Sequence, residues 1–163
     1  MVSKELVKML TQQIQMEGDA RQFYLSAALW SKARGLDGTA HFFTLQSEEE
    51  HEHMMKIINF LIEVGETPTL PALKAPKNDF QNFRELFELS LKNEQEVTRS
   101  FHAMADKAQD LKDHTTLNFL QWFIEEQVEE ENLFRSILDK LDLVGESGPS
   151  IYLLDKELGS RQE

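Results

Sequence analysis

The residues that most restrict how this chain can fold are Glu50 and His53. They stand in a helical pattern whose apolar stripe runs Phe43, Gln46 or Ser47, Glu50, His53 or Met54, Ile57, Leu61 and Val64, a face that should meet a core. A carboxylate buried there is strongly unfavourable unless it is paired, protonated or bound to a cation. Three residues along an α-helix advance about 300°, which leaves Glu50 and His53 about 60° apart and within reach of one metal ion. The surrounding run, Ser47 to Met54, is rich enough in Glu and His to produce Glu-x-x-His by chance. The pair therefore has to be weighed with the rest of the chain.

Helical periodicity predicts a first helix over about 4–33, with Leu6, Leu10, Gln13, Glu17, Ala20, Tyr24, Ala27 and Ser31 on one face. A second spans about 39–64, opening near Asp37-Gly38-Thr39, whose side chains can accept from free backbone N–H groups, and stopping at Gly65. Residues 66–79 hold three of the four prolines and cannot form a regular helix. A third helix fits about 82–109, with Asn82 and Glu85 spaced as a capping box and Phe83, Phe87, Ser90, Glu94, Val97, Phe101, Met104 and Ala108 as its stripe. A fourth fits about 114–143, capped by Asp113, with Thr116, Leu120, Phe123, Gln127, Glu130, Phe134, Ile137 and Leu141 inward. Pro149 opens a short fifth over about 149–158. Short, long and short connections between long helices predict an all-α fold. It is a four-helix bundle with one long crossover and a short C-terminal helix, in a single domain over 1–163.

The polar interruptions of the stripes are Glu17, Glu50 with His53, Glu94, and Gln127 with Glu130, each near its helix's midpoint. In aligned helices those midpoints share one level, so the interruptions converge inside the core. Four carboxylates gathered there repel one another unless positive charge compensates, and two divalent ions supply it. One imidazole among oxygen donors, with no sulfur, suits iron or manganese and also admits zinc. Tyr24, seven residues after Glu17 on the same face, is either a redox-active phenol near the metals or a core tyrosine with a bonded hydroxyl. Trp122 and the methionines Met9, Met16, Met54, Met55 and Met104 read as packing. His41, His102 and His114 read as surface residues. Glu125 and Glu131 belong to a solvated charge run, whereas Glu126 and Glu129 flank the inner stripe on the side that Glu49 also approaches, which opens a third cation position.

Twenty-nine acidic against seventeen basic residues leave a net charge of −12, which disfavours nucleic acid and anionic membranes and favours cations. The absence of cysteine excludes disulfides, thiolate zinc sites and iron–sulfur clusters within the chain. No apolar stretch reaches signal-peptide or membrane-spanning length, so a cytoplasmic location is expected.

Taken together, Glu17 with Tyr24, Glu49-Glu50-x-x-His53, Glu94, Asn118-Phe119-Leu120-Gln121-Trp122, Glu126-Gln127-x-Glu129-Glu130 and Tyr152-Leu153-x-Asp155-Lys156-Glu157-Leu158 resemble the bacterial non-haem ferritins over essentially the full length. The resemblance implies a homo-oligomeric shell of 24 subunits. Such a shell oxidises ferrous iron with O2 or H2O2 at a di-iron ferroxidase centre in each bundle and stores ferric mineral inside. It implies two irons per subunit, one held by Glu17, Glu50 and His53, the other by Glu50, Glu94 and Glu130, with Glu50 bridging and Gln127 nearby. It further implies a third iron at Glu49, Glu126, Glu129 and Glu130, and Tyr24 as the tyrosine thought to donate an electron. Gln127-x-x-Glu130 replaces the second Glu-x-x-His of bacterioferritin, so the centre is asymmetric. His51 stands where bacterioferritin has its haem-binding methionine, so no haem is expected. Leu117 and Leu120 stand where animal ferritins line threefold pores with carboxylates, which leaves the route of iron access open. The residues alone also accommodate a non-storing di-iron oxidase or peroxidase, or an acidic helical interaction module without metal.

Overall fold

The computed structural model describes residues 2–162, and its helices are α1 (Lys4–Lys32), α2 (Asp37–Glu63), α3 (Phe83–Asp110), α4 (His114–Val144) and α5 (Gly148–Leu158). Each start has a chemical reason. The side chains of Ser3, Asn82, Asp113 and Ser147 accept from the backbone N–H of Leu6, Glu85, Thr116 and Ser150. Glu85 reaches back as expected, but to the N–H of Gln81, one residue before the cap. Gly65 and Gly145 take φ of +89° and +82°, a conformation open to residues without a Cβ, and they close α2 and α4.

The start of α2 departs from the expectation. No local side chain caps it. The carboxylate of Asp155, on α5, accepts instead from the N–H of Gly38 (3.3 Å) and from the N–H and hydroxyl of Thr39 (2.7 Å each). Gly38 makes this possible, since a Cβ at that position would lie 1.8 Å from the Asp155 carbonyl oxygen. Helix α5 is thereby fastened to α2 by an acid at the positive end of the helix dipole. Asp155→Ala should lower stability by about 1–2 kcal/mol and expose α5 to protease, with Asp155→Asn restoring most of it. Thermal unfolding and timed proteolysis check this, and unchanged values for Asp155→Ala would refute it.

The short turns pack α1 on α2 and α3 on α4, and the long connection carries the chain across so that α1 also meets α3. That connection is held along α1: the Ser26 hydroxyl donates to the Lys77 carbonyl at 2.6 Å, the Lys74 N–H donates to Asp19 at 2.8 Å, and Leu73 covers Gly18. Phe80 inserts edge-on between Phe23 and Trp30.

The core is divided in two. One apolar cluster gathers Tyr24, Phe42, Phe43, Phe87, Phe134 and neighbours; the other gathers Leu10, Ile14, Ile57, Phe101, Phe123 and neighbours. Polar side chains fill the level between them. Leu120 is fully buried in the second cluster, on the inward stripe predicted for it, and Leu117 is half-buried against the same cluster. One packing expectation is corrected. Met55 is exposed rather than core filler, because its position on α2 turns away from the other helices.

Candidate metal centre

Helical spacing alone brings the polar interruptions to one depth. Glu17, Glu50, Glu94, Gln127 and Glu130 are 0%, 2%, 1%, 2% and 6% exposed, and His53 is 5% exposed. Glu17, Glu50 and His53 each offer a donor atom, all within 4.8 Å of one another. The His53 Nδ1 lies 3.4 Å from Glu50 Oε2 and 3.8 Å from Glu17 Oε2, both ion-pair distances and neither a hydrogen bond. Glu17 Oε2 is buried without any hydrogen-bond partner. An orphaned carboxylate oxygen facing a second carboxylate and an imidazole is an arrangement that a cation completes.

Glu94 and Glu130 lie outside this tight trio, but their charges act on Glu50. Glu94 is held by the Tyr24 hydroxyl, which donates to Oε1, and by the Gln127 amide, which donates to Oε2 at 3.0 Å. Glu130 accepts at 2.8 Å from the Gln46 amide. Glu17 accepts at 2.7 Å from Gln13, itself fixed by Ser100. His53 sits edge-on to Trp122 and Phe123.

The electrostatics follow from burial among like charges. Burial, then Glu94 and Glu17, push Glu50 well above the ordinary carboxylate value. Burial first and the Glu94 charge second raise Glu130 to about 8. Burial also raises Glu94, against the hydrogen bonds from Tyr24 and Gln127. Glu17 alone falls below its ordinary value, because His53 and Glu50 beside it outweigh its burial. His53 is correspondingly raised, the Glu17 carboxylate overcoming the effect of burial. Burial and the neighbouring Glu94 charge lift the Tyr24 phenol well above its usual value, so it stays protonated at neutral pH. In the metal-free protein the centre therefore retains protons that an entering cation must displace.

On the outer side of Glu130, the residues Glu49, Glu126 and Glu129 line an open cavity of about 390 Å³. Glu126 is raised by partial burial and by the Glu129 charge. Glu49 is engaged at 2.8 Å by Arg161. The hydrogen-bonding residues Gln13, Gln46 and Arg161 were not among the predicted site residues. Gln13 and Gln46 could have been found as amides on buried stripe positions, but nothing in the local pattern marks Arg161.

A helical bundle whose core is interrupted by a belt of buried carboxylates around one histidine defines a class of carboxylate-bridged metal proteins. The chain matches the family described as Ferritin-like domain over residues 7–144. It is 38% identical to a probable bacterial non-heme ferritin-like protein of Haemophilus influenzae, over 98% of this chain and 97% of that one. It is 40% identical to a bacterial non-heme ferritin of Campylobacter jejuni, over 96% and 93% of the two chains. An open-pore ferritin from the archaeon Archaeoglobus fulgidus superposes with a TM-score of 0.97 at 36% identity, covering 99% of both chains. The chain belongs to the ferritin family, alongside the bacterial non-haem ferritins.

Proposed function

We propose that this protein oxidises ferrous iron at an intra-subunit di-iron centre and stores the ferric product inside a 24-subunit cage. The observation that carries the reading is the buried trio of Glu17, Glu50 and His53 with its orphaned carboxylate oxygen. Its oxygen-rich donor set with one nitrogen suits iron as the substrate ion. Glu17 and His53 serve one ion, Glu94 and Glu130 the other, and Glu50 lies between them. Gln127 fixes Glu94 and adds a weak donor at the second position. Two ferrous ions each give one electron to O2, which takes up two protons and leaves as H2O2; H2O2 is the alternative oxidant. The protons held by Glu50 and Glu130 are released as the ions bind. In a four-electron variant of the reaction, Tyr24, whose hydroxyl donates to Glu94, and a third ferrous ion would each give one more electron, so that O2 leaves as two waters. Glu49, Glu126 and Glu129, with Glu130, form a third cation position toward the cavity.

Self-assembly is supported by large apolar side chains left on the outside of one subunit, including Leu29, Leu70, Val128, Leu143 and Leu153. Net charge of −12 argues against nucleic acid as a partner, and no described helix is long and apolar enough to cross a membrane. Location in the cytoplasm and the absence of haem belong to the same reading.

The test joins mass and stoichiometry. Light scattering should give a particle of 24 subunits, and ferrous iron added in air should be oxidised rapidly up to about two equivalents per subunit. A particle the size of a dimer with intact oxidation would favour a non-storing oxidase or peroxidase. A protein that binds no stoichiometric metal would be an interaction module.

A further inference from the structure

The segment after α5 returns to the acidic cavity. The Arg161 carbonyl oxygen lies 2.8 Å from His41 Nε2, and its guanidinium stands over the Phe42 ring with 4.8 Å to the centroid. The two ends of the guanidinium then divide. Nη1 donates at 2.6 Å to the Gln46 side-chain oxygen Oε1, and Nη2 donates at 2.8 Å to Glu49 Oε1. Both contacts draw on the planar fork that distinguishes arginine from lysine.

We propose that Arg161 is the resident counter-ion of this cavity, and that a divalent cation binds at Glu49, Glu126 and Glu129 only by displacing its guanidinium. This rests on the cavity accepting a cation, as in the third position above. Besides Arg161 the cavity is lined by the carboxylates of Glu49, Glu126, Glu129 and Glu130 with Asn132, Leu133 and Ser136, and Glu49 is the carboxylate that Arg161 occupies. A positive charge held at that oxygen opposes a second one on the same side chain.

Arg161 also acts through Gln46. Arginine has no acceptor, so Gln46 must turn its oxygen toward Arg161, which leaves only its amide N–H group to face Glu130. Arg161 is in this sense a positioning residue. While it stays, Glu130 receives a donor; once displaced, Gln46 is free to invert and the donor is no longer guaranteed. Occupancy of the outer cavity is thereby coupled to the setting of Glu130 through one buried amide.

The experiment is calorimetric titration of the assembled metal-free protein with Zn2+, which has no redox chemistry, continued past the equivalents that fill the buried centre. Arg161→Gln should bind the subsequent zinc on the order of tenfold more tightly, the discounted worth of one partly exposed charge-assisted contact. Arg161→Lys keeps the charge but not the fork, and should bind the late zinc closer to wild type than to Arg161→Gln. Adding Glu49→Gln to Arg161→Gln should erase the gain. Superimposable late isotherms for wild type and Arg161→Gln would overturn the proposal. Equal gains for Arg161→Gln and Arg161→Lys would overturn it too, since the effect would then come from detaching the segment rather than from charge. Filling of the buried centre in the early isotherm reports on the di-iron reading independently.

Discussion

Replacing Glu50 or His53 by alanine is expected to remove the fast absorbance rise that follows addition of ferrous iron in air. Glu50 is the one carboxylate flanked by both halves of the centre: its Oε2 lies 3.4 Å from His53, and the charges of Glu94, Glu17 and Glu130 all act on it. Losing it removes a donor to both ions at once. Losing His53 removes the only nitrogen donor and leaves the Glu17 carboxylate without its cation partner. Initial rates should fall on the order of a hundredfold or more, given that loss of even outer-shell partners costs 10–100-fold at metal sites. Glu50→Gln keeps volume and hydrogen bonding while discarding the charge. It should fold, assemble and remain as slow as Glu50→Ala, which separates chemistry from collapse of the core. Stopped-flow traces matching wild type in either alanine variant would rule out the assignment.

The metal-free protein should lose stability as pH rises from 5 to 8, and bound divalent metal should reverse the trend. Glu130 titrates at about 8 in the fold against an ordinary 4.5, so the folded chain binds more protons than the unfolded chain throughout that window. Stability then declines with pH, because the unfolded state is the one that gives up its proton freely. Glu50 and Glu94 are raised and act in the same direction. His53, also raised, contributes stability that is complete below its ordinary 6.5 and is lost as pH climbs through its folded value. Glu17 is lowered and opposes them only below its ordinary 4.5, outside the window. Each proton retained adds a slope of about 1.4 kcal/mol per pH unit, so several kcal/mol are at stake even after allowance for coupling among the carboxylates. Denaturation at fixed protein concentration, with and without Zn2+, reads the effect. Glu130→Gln should flatten the metal-free curve; a curve that rises from pH 5 to 8 would contradict the burial argument.

Both predictions depend on residues visible as interruptions of helical stripes. Glu17, Glu50, His53, Glu94, Gln127 and Glu130 could be placed at one depth because a helix converts spacing into direction, and apolar neighbours such as Ile57, Phe101 and Phe123 mark which direction is inward. The same logic applies to Leu120: its stripe assigned it to the core, and it is fully buried there. Tyr24, ambiguous by spacing, is both packed against Phe43 and Phe134 and bonded to Glu94.

Periodicity, caps and the placement of proline and glycine determined the helices, their connections and the inward-facing acids, because each of these is a relation between residues close along the chain. What orients the acids was decided only by tertiary structure. Asp155 caps α2 from 116 residues away, and Arg161 reaches Gln46 and Glu49 across 115 and 112 residues. A hydrogen bond requires positions and angles set by the packing of separate helices, and no local pattern encodes those.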